Sequence, residues 1–129
     1  MARKLGIKEG FIVQVYNTPQ NYLDFFDDFP KEVSFIKAGI LHKVDFVHLF
    51  VSTWAVLERD YPMAKANLKE NGILWISWPK KSSGIPSQLG KMDIRQYGLD
   101  HGLVDVKVAS INESWSAHKF VYRLKDRRK

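Results

Sequence analysis

The apolar positions of this chain fall into short, near-continuous runs separated by stretches of helical spacing, a pattern of buried strands alternating with helices. Phe11 to Tyr16 (FIVQVY) predicts a first strand and Val33 to Lys37 a second. Val44 to Val51 (VDFVHLFV) predicts a buried central strand, interrupted only by Asp45 and His48. Gly72 to Gly84 (GILWISWPKKSSG) is the stretch that organises the rest, an apolar strand that empties abruptly into a cationic loop of small residues. Val104 to Ile111 and His118 to Leu124 predict two closing strands, with a hairpin-like connection over Asn112 to Ser116.

Between the strands, Tyr22, Leu23, Phe25, Phe26 and Phe29 recur at helical spacing and predict a short helix that Pro30 stops. Asn17 or Thr18 would cap it, with Pro19 in its first turn. A second helix starts from Ser52 or Thr53 and carries Trp54, Leu57, Tyr61, Ala64 and Leu68 inward. Pro62 should kink or split it, and Asn71-Gly72 reads as its C-terminal cap. A third helix is expected over Asp93 to His101, with Gly102 as its stop. The order is strand, helix, strand, strand, helix, strand, helix and two strands. It predicts an α/β, Rossmann-like three-layer sandwich in one domain, residues 1–129, with a mostly parallel six-stranded sheet. The C-terminal antiparallel hairpin would place its antiparallel strand at the sheet edge.

Composition narrows the chemistry. A chain of 129 residues, 45% hydrophobic, can bury a core without staples. It has no cysteine, which excludes disulfides, zinc–thiolate and iron–sulfur sites and a cysteine nucleophile. The N terminus has no apolar signal-peptide core, and no apolar run approaches the roughly 20 residues of a membrane span, so a cytoplasmic location off the membrane is expected. The net charge of +6 is concentrated in part at the ends, in Arg3 and Lys4 and in Lys119, Arg123, Lys125, Arg127, Arg128 and Lys129. Such termini bind nucleic acid without sequence preference, or are simply solvated. His42, His48, His101 and His118 lack metal-ligand spacing, so no metal is expected.

Ligands of open α/β sheets sit outside the carboxyl ends of the strands. That rule points to the loop after the organising strand. Lys80 and Lys81 would supply charge, Ser82 and Ser83 hydroxyls, and Trp78 a stacking wall for a small anion such as phosphate. Asn17, Thr18 and Tyr22 would lie at the end of the first strand, either as caps or beside free N–H groups of a helix start. Trp75 should face the core, and Trp115-Ser116 either folds over the sheet end or meets a partner.

The order of elements resembles the class I methyltransferase fold shortened by one strand, most closely in its second half. The sequence also resembles a small bacterial family, domain of unknown function 3052. That likeness is carried by Leu5-Gly6-Ile7 with Gly10, by Asn17, Pro19 and Tyr22, and by Leu74-Trp75 with Trp78-Pro79-Lys80-Lys81 and Ser83-Gly84. Gly102 to Asp105, Lys107-Val108, Trp115-Ser116 and Lys119-Phe120-Val121 complete it. It implies a fold and brings no activity with it. The methyltransferase resemblance implies an S-adenosylmethionine site on a glycine-rich turn after the first strand, with an acid at the end of the second for the ribose. Here Tyr16 to Asn21 contains no glycine, and Lys37-Ala38-Gly39 contains no acid. The expectation is therefore a non-catalytic domain without a cofactor. It would bind a small anionic ligand or a protein partner at an edge formed by Asn17 and Lys80–Ser83. The alternatives are a divergent S-adenosylmethionine-dependent methyltransferase, and a nucleic-acid-binding accessory protein that uses the basic termini. The sequence does not fix the oligomeric state.

Overall fold

The fold is seen in a computed structural model that describes residues 2–20, 22–26 and 29–123. A single helical turn, α1 (Ala2–Leu5), precedes β1 (Ile12–Tyr16), β2 (Ser34–Ile36) and β3 (Val44–Phe50). Helix α2 (Trp54–Asn67) leads into β4 (Leu68–Pro79), and helix α3 (Lys91–Asp100) into β5 (Leu103–Ser110) and β6 (Trp115–Tyr122). One sheet holds all six strands in the order β2-β1-β3-β4-β6-β5. β6 runs antiparallel to both neighbours, and the other contacts are parallel. The antiparallel strand thus inserts beside β4 instead of lying at the edge, and β5 becomes the border. The hairpin folds back onto the sheet because β6 carries Ala117, His118 and Phe120 into the core, whereas Val106 and Val108 of β5 remain exposed.

The period-two alternation sends side chains to two cores. On one face Val47, Leu49, Leu74, Ile76 and Phe120 pack with Leu57, Tyr61 and Ala64 of α2 and Ile94 of α3. On the other, Val13, Phe46, Phe50 and Trp75 pack with Leu5, Ile7, Tyr22 and Phe26. The second face is covered by the N-terminal segment and a 3₁₀ turn, Tyr22–Phe25, where a longer helix was expected. The aromatic spacing there reflects one wall of rings, in which Tyr22 meets Phe26, His48 and Phe50 edge-on. Asp27 and Asp28 of the expected helix lie outside the described residues.

Helix α2 starts on Thr53, whose hydroxyl accepts from Val56 N at 3.2 Å. It is unbroken at Pro62: Pro62 and Glu58 are both exposed, so the carbonyl that the proline leaves without an N–H faces solvent. The helix stops at Asn67 and the chain enters β4 at Leu68, so Asn71-Gly72 is not a cap. It lies in a bulge, where β3 advances from Val44 to Phe46 while β4 advances from Leu68 to Ile73. A Cβ on Gly72 would stand 3.1 Å from Asp45 O and 2.8 Å from Leu68 Cδ1, which is why glycine is needed there. Asp45 secures the same corner, accepting from Ile12 N at 2.8 Å and from Lys69 Nζ at 3.0 Å.

The link from β2 to β3 has neither helix nor strand. A buried amide network holds it instead. Gln14 Nε2 donates to Lys37 O and Ile40 O at 3.0 and 3.1 Å. Asn67 Nδ2 donates to Gln14 Oε1 and Ile40 O at 3.0 and 2.8 Å, and Asn67 Oδ1 accepts from His42 N at 3.1 Å. Both side chains are fully buried. No helix among the described residues is long and apolar enough to cross a membrane.

Candidate functional site

Strand order reverses between β1 and β3, and a cavity opens at the carboxyl ends of β1 and β2. It measures about 880 Å3, within the range of small-molecule sites. Val15, Tyr22, Leu23, Phe35 and Ile36 give apolar walls, and the turn Asn17-Thr18-Pro19 and Lys37-Ala38 close its rim. Lys37 is the charged residue among these. The opening exists because the connections on both sides are compact. Tyr22–Phe25 supplies a single 3₁₀ turn, and residues 37–43 are tied down by Gln14 and Asn67.

Asn17 takes the left-handed backbone conformation, φ 57°, at the point where β1 ends. Asparagine tolerates that region, so the turn obtains a bend of the kind glycine usually provides without containing one. Its side chain is anchored away from the cavity. Nδ2 donates to Phe50 O at 2.9 Å and to Asp60 Oδ2 at 2.8 Å, and Oδ1 accepts from Arg59 Nη2 at 3.2 Å. Arg59 grips Asp60 through Nε and Nη2 at 2.9 and 3.0 Å. Burial raises the Asp60 carboxyl, but hydrogen bonds from Arg59 and Asn17 outweigh it and hold the group below the usual carboxylate range. Arg59 and Asp60 were not singled out in the sequence, where an Arg-Asp pair on a helix resembles any solvated face.

Beneath the cavity a buried chain runs into the sheet. Tyr22 OH and His48 Nδ1 share a hydrogen bond of 2.8 Å, and His48 Nε2 and Ser77 Oγ one of 2.6 Å. Burial lowers the His48 pKa to about 3 and pushes the Tyr22 hydroxyl up. Both therefore stay neutral near pH 7, and the chain fixes the turn that carries Tyr22. Among the described residues no α-helix starts beside Asn17 to offer free N–H groups; Tyr22–Phe25 is a four-residue 3₁₀ turn.

The loop after β4 lies apart from this cavity. Lys80, Lys81 and Leu89 line a different depression of about 490 Å3. Lys80 Nζ donates to Ser110 Oγ at 2.6 Å. Ser83 Oγ donates to Lys80 O at 2.6 Å and accepts from Ile85 N at 3.0 Å, shaping the turn locally. Lys81 and Ser82 are exposed, and Trp78 is buried in the helix-side core. Asn17 and Thr18 thus line one cavity, Lys80 and Lys81 another, and the strand β3 separates the two parent strands.

The remaining candidates have structural partners. Trp75 Nε1 donates to Leu5 O at 2.8 Å, fixing the N-terminal turn. Trp115 begins β6 instead of sitting in the turn, and packs edge-on against Phe50 with ring centres 4.9 Å apart. Asp105 pairs with Arg95 at 3.1 Å and lies 3.4 Å from His118 Nε2. Among the described residues no group of three or more His, Asp or Glu is placed to hold a metal ion. The basic tail from Lys125 onward lies outside the described residues.

No family model matches this sequence, and no curated protein is similar to it at a significant level. Solved structures do match in fold. One is an S-adenosylmethionine-dependent methyltransferase from Aquifex aeolicus: TM-score 0.67, 15% identity, 92% of this chain and 85% of that one covered. A precorrin-6y C5,15-methyltransferase from Geobacter metallireducens matches at TM-score 0.62 and 11% identity, over 94% of this chain and 84% of that one. A ribosomal protein L11 methylase from Lactobacillus delbrueckii subsp. bulgaricus matches at 0.61 and 12%, over 94% and 74%. The fold is therefore the Rossmann-like α/β fold of S-adenosylmethionine-dependent methyltransferases, in a shortened six-stranded form with a C-terminal antiparallel hairpin.

Proposed function

We propose that this chain is a divergent methyltransferase that takes an S-adenosylmethionine-type ligand in the β1–β2 cavity. One observation carries the reading: in a sheet of methyltransferase order, a cavity of small-molecule size lies at the carboxyl ends of β1 and β2. Its size and apolar walls fit an adenine ring between Leu23, Phe35 and Ile36, and the left-handed Asn17 gives the adjoining turn its bend without glycine. Lys37 stands at the end of β2, where the fold normally presents an acid to the ribose. A ribose hydroxyl accepts hydrogen bonds as well as donating them, so a lysine serves with the polarity reversed. When bound, such a ligand supplies an electrophilic methyl group. The residues of this chain bind and orient it, Lys37 at the ribose and Thr18 at the rim. The neutral, buried His48 moves no proton in this scheme.

This reading is favoured over an anion site at Lys80–Ser83, because Lys80 and Ser83 already bond within the protein. A thermal-shift assay with S-adenosylhomocysteine tests it. Ligand at a hundredfold over its Kd adds about 2.7 kcal/mol, which raises the midpoint by several degrees. Ala38→Trp, at an exposed rim position, should abolish the shift and leave the ligand-free midpoint nearly unchanged. No shift in the parent chain, or an equal shift in the variant, overturns the proposal.

A further inference from the structure

Trp54, which helical spacing alone would turn inward, is 38% exposed at the head of α2. Its indole stands beside Tyr97 of α3, with ring centres 6.3 Å apart and planes tilted by 49°. Buried Tyr61 backs the Tyr97 ring edge-on at 5.1 Å, and His101 stacks on it at 3.9 Å. Trp54 and Tyr97 line a groove of about 330 Å3 between the two helices, together with Met92, which is 66% exposed. The groove is acidic. Asp93 and Asp100 line it from α3. Glu58 lies one turn after Trp54 on α2, close enough to add to burial in raising the Tyr97 hydroxyl. Asp45, Asp60 and Asp105 have cationic partners, but among the described residues Glu58, Asp93 and Asp100 have none. Asp93 accepts from Gly90 N at 3.0 Å and Asp100 from Gln96 Nε2 at 2.8 Å, each through one oxygen, which leaves acceptor capacity on both. The nearby guanidinium groups are held elsewhere, Arg59 by Asp60, Arg95 by Asp105 and Arg123 by Leu99 O.

We propose that this groove docks an arginine-bearing segment of a partner protein. In a chain of net charge +6, unpaired carboxylates around an exposed indole are the local complement of a guanidinium. That group is planar, so it can lie flat on Trp54 and still present its N–H donors to a carboxylate. A purely apolar segment would leave the acids unanswered, and an ammonium would meet them as a point charge without covering the indole. Asp93 and Asp100 stand about 10 Å apart along the axis of α3. A polyproline-type segment returns to the same side every third residue, about 9 Å further on. Two arginines three positions apart therefore match the groove, one on Trp54 beside Asp93 and the other with Glu58 and Asp100. This docking does not depend on the reaction at the β1–β2 cavity.

Fluorescence anisotropy of the full chain with a labelled Gly-Arg-Pro-Pro-Arg-Gly peptide at low salt provides the test. Saturable binding is expected, weaker by about fivefold for the lysine peptide and lost for the glutamine peptide. Trp54→Ala should weaken the arginine peptide about tenfold, the scale of a partly desolvated cation–π contact. Glu58→Lys, at an exposed position, should weaken it at least fivefold and leave the thermal midpoint nearly unchanged, which separates lost binding from lost folding. Glu113→Lys makes the same charge change at an exposed carboxylate of the β5–β6 turn and should leave the affinity as it was. The proposal is overturned by no binding of the arginine peptide, by equal binding of the lysine or glutamine peptide, or by an unchanged affinity in Trp54→Ala and Glu58→Lys. It is overturned equally by the same loss in Glu113→Lys as in Glu58→Lys, which would make net charge the cause. Binding that appears only when residues 124–129 are deleted would assign the groove to the chain's own basic end and overturn the partner.

Discussion

The two halves of the sheet solve one problem by different means. From β3 onward, each parallel crossover is a helix with a buried stripe, and α2 and α3 cover their face with Leu57, Tyr61, Ala64 and Ile94. From β1 to β3 the crossovers are a 3₁₀ turn and a helix-free loop, and side-chain amides do the holding. The helical half is closed by packing. The amide-held half leaves its carboxyl end open, and there the cavity of about 880 Å3 forms. Thin crossovers thus create the space that a ligand would occupy.

Breaking each half should give different signatures. Leu57→Ala empties a fully buried position in the helical half, and should cost about 3 kcal/mol and roughly 10 °C of midpoint as one cooperative transition. Asn67→Ala leaves His42 N and Gln14 Oε1 without that partner, and should cost about 2 kcal/mol. Its signature is local, with amide exchange accelerating over residues 37–42 ahead of global unfolding. A uniform rise in exchange would contradict the division into halves.

Protonation sharpens the comparison from below the cavity. The folded-state pKa of His48, about 3, lies under its unfolded value near 6.5. The unfolded chain therefore binds the proton first, and the stability contributed by neutral His48 is present above about pH 6.5. It declines by about 1.4 kcal/mol per unit as the pH falls towards 3. His118, lowered mainly by burial against the opposing pull of Asp105, adds a change of the same sign. Urea titrations at pH 6.5 and 5.5 should show the loss in the parent chain and a shallower one in His48→Gln. Equal slopes would mean that His48 is not the buried neutral group described. The smallest expected effect is at the rim, where Lys37→Glu restores the acid at the end of β2. It should tighten S-adenosylhomocysteine about fivefold, or about 1 kcal/mol, and weakened binding would mean that the lysine itself is the better partner for the ribose.

What the sequence revealed and concealed follows the same divide. VDFVHLFV and GILWISW announced buried central strands, because burial on both faces leaves no alternation to misread. Thr53, Gly102 and the hairpin were legible as local chemistry. The 3₁₀ turn was hidden by Tyr22, Phe25 and Phe26, whose spacing fits a helix until the rings of His48 and Phe50 are seen against Tyr22. Asn71-Gly72 carries the signature of a helix end, yet its glycine answers to the approach of Asp45 O. The Gln14–Asn67 bond spans 53 positions, and nothing local marks it. The strand rule placed the candidate residues at the carboxyl end of the sheet. Their division between two cavities depends on β3 intervening, a fact of topology and not of composition.

Backbone NMR of the isotopically labelled chain, titrated with S-adenosylhomocysteine, addresses the central claim most directly. The account predicts saturable shifts centred on residues 15–19 and 35–38, with little change over 80–90. Shifts centred on 80–90, or none at saturating ligand, would contradict it.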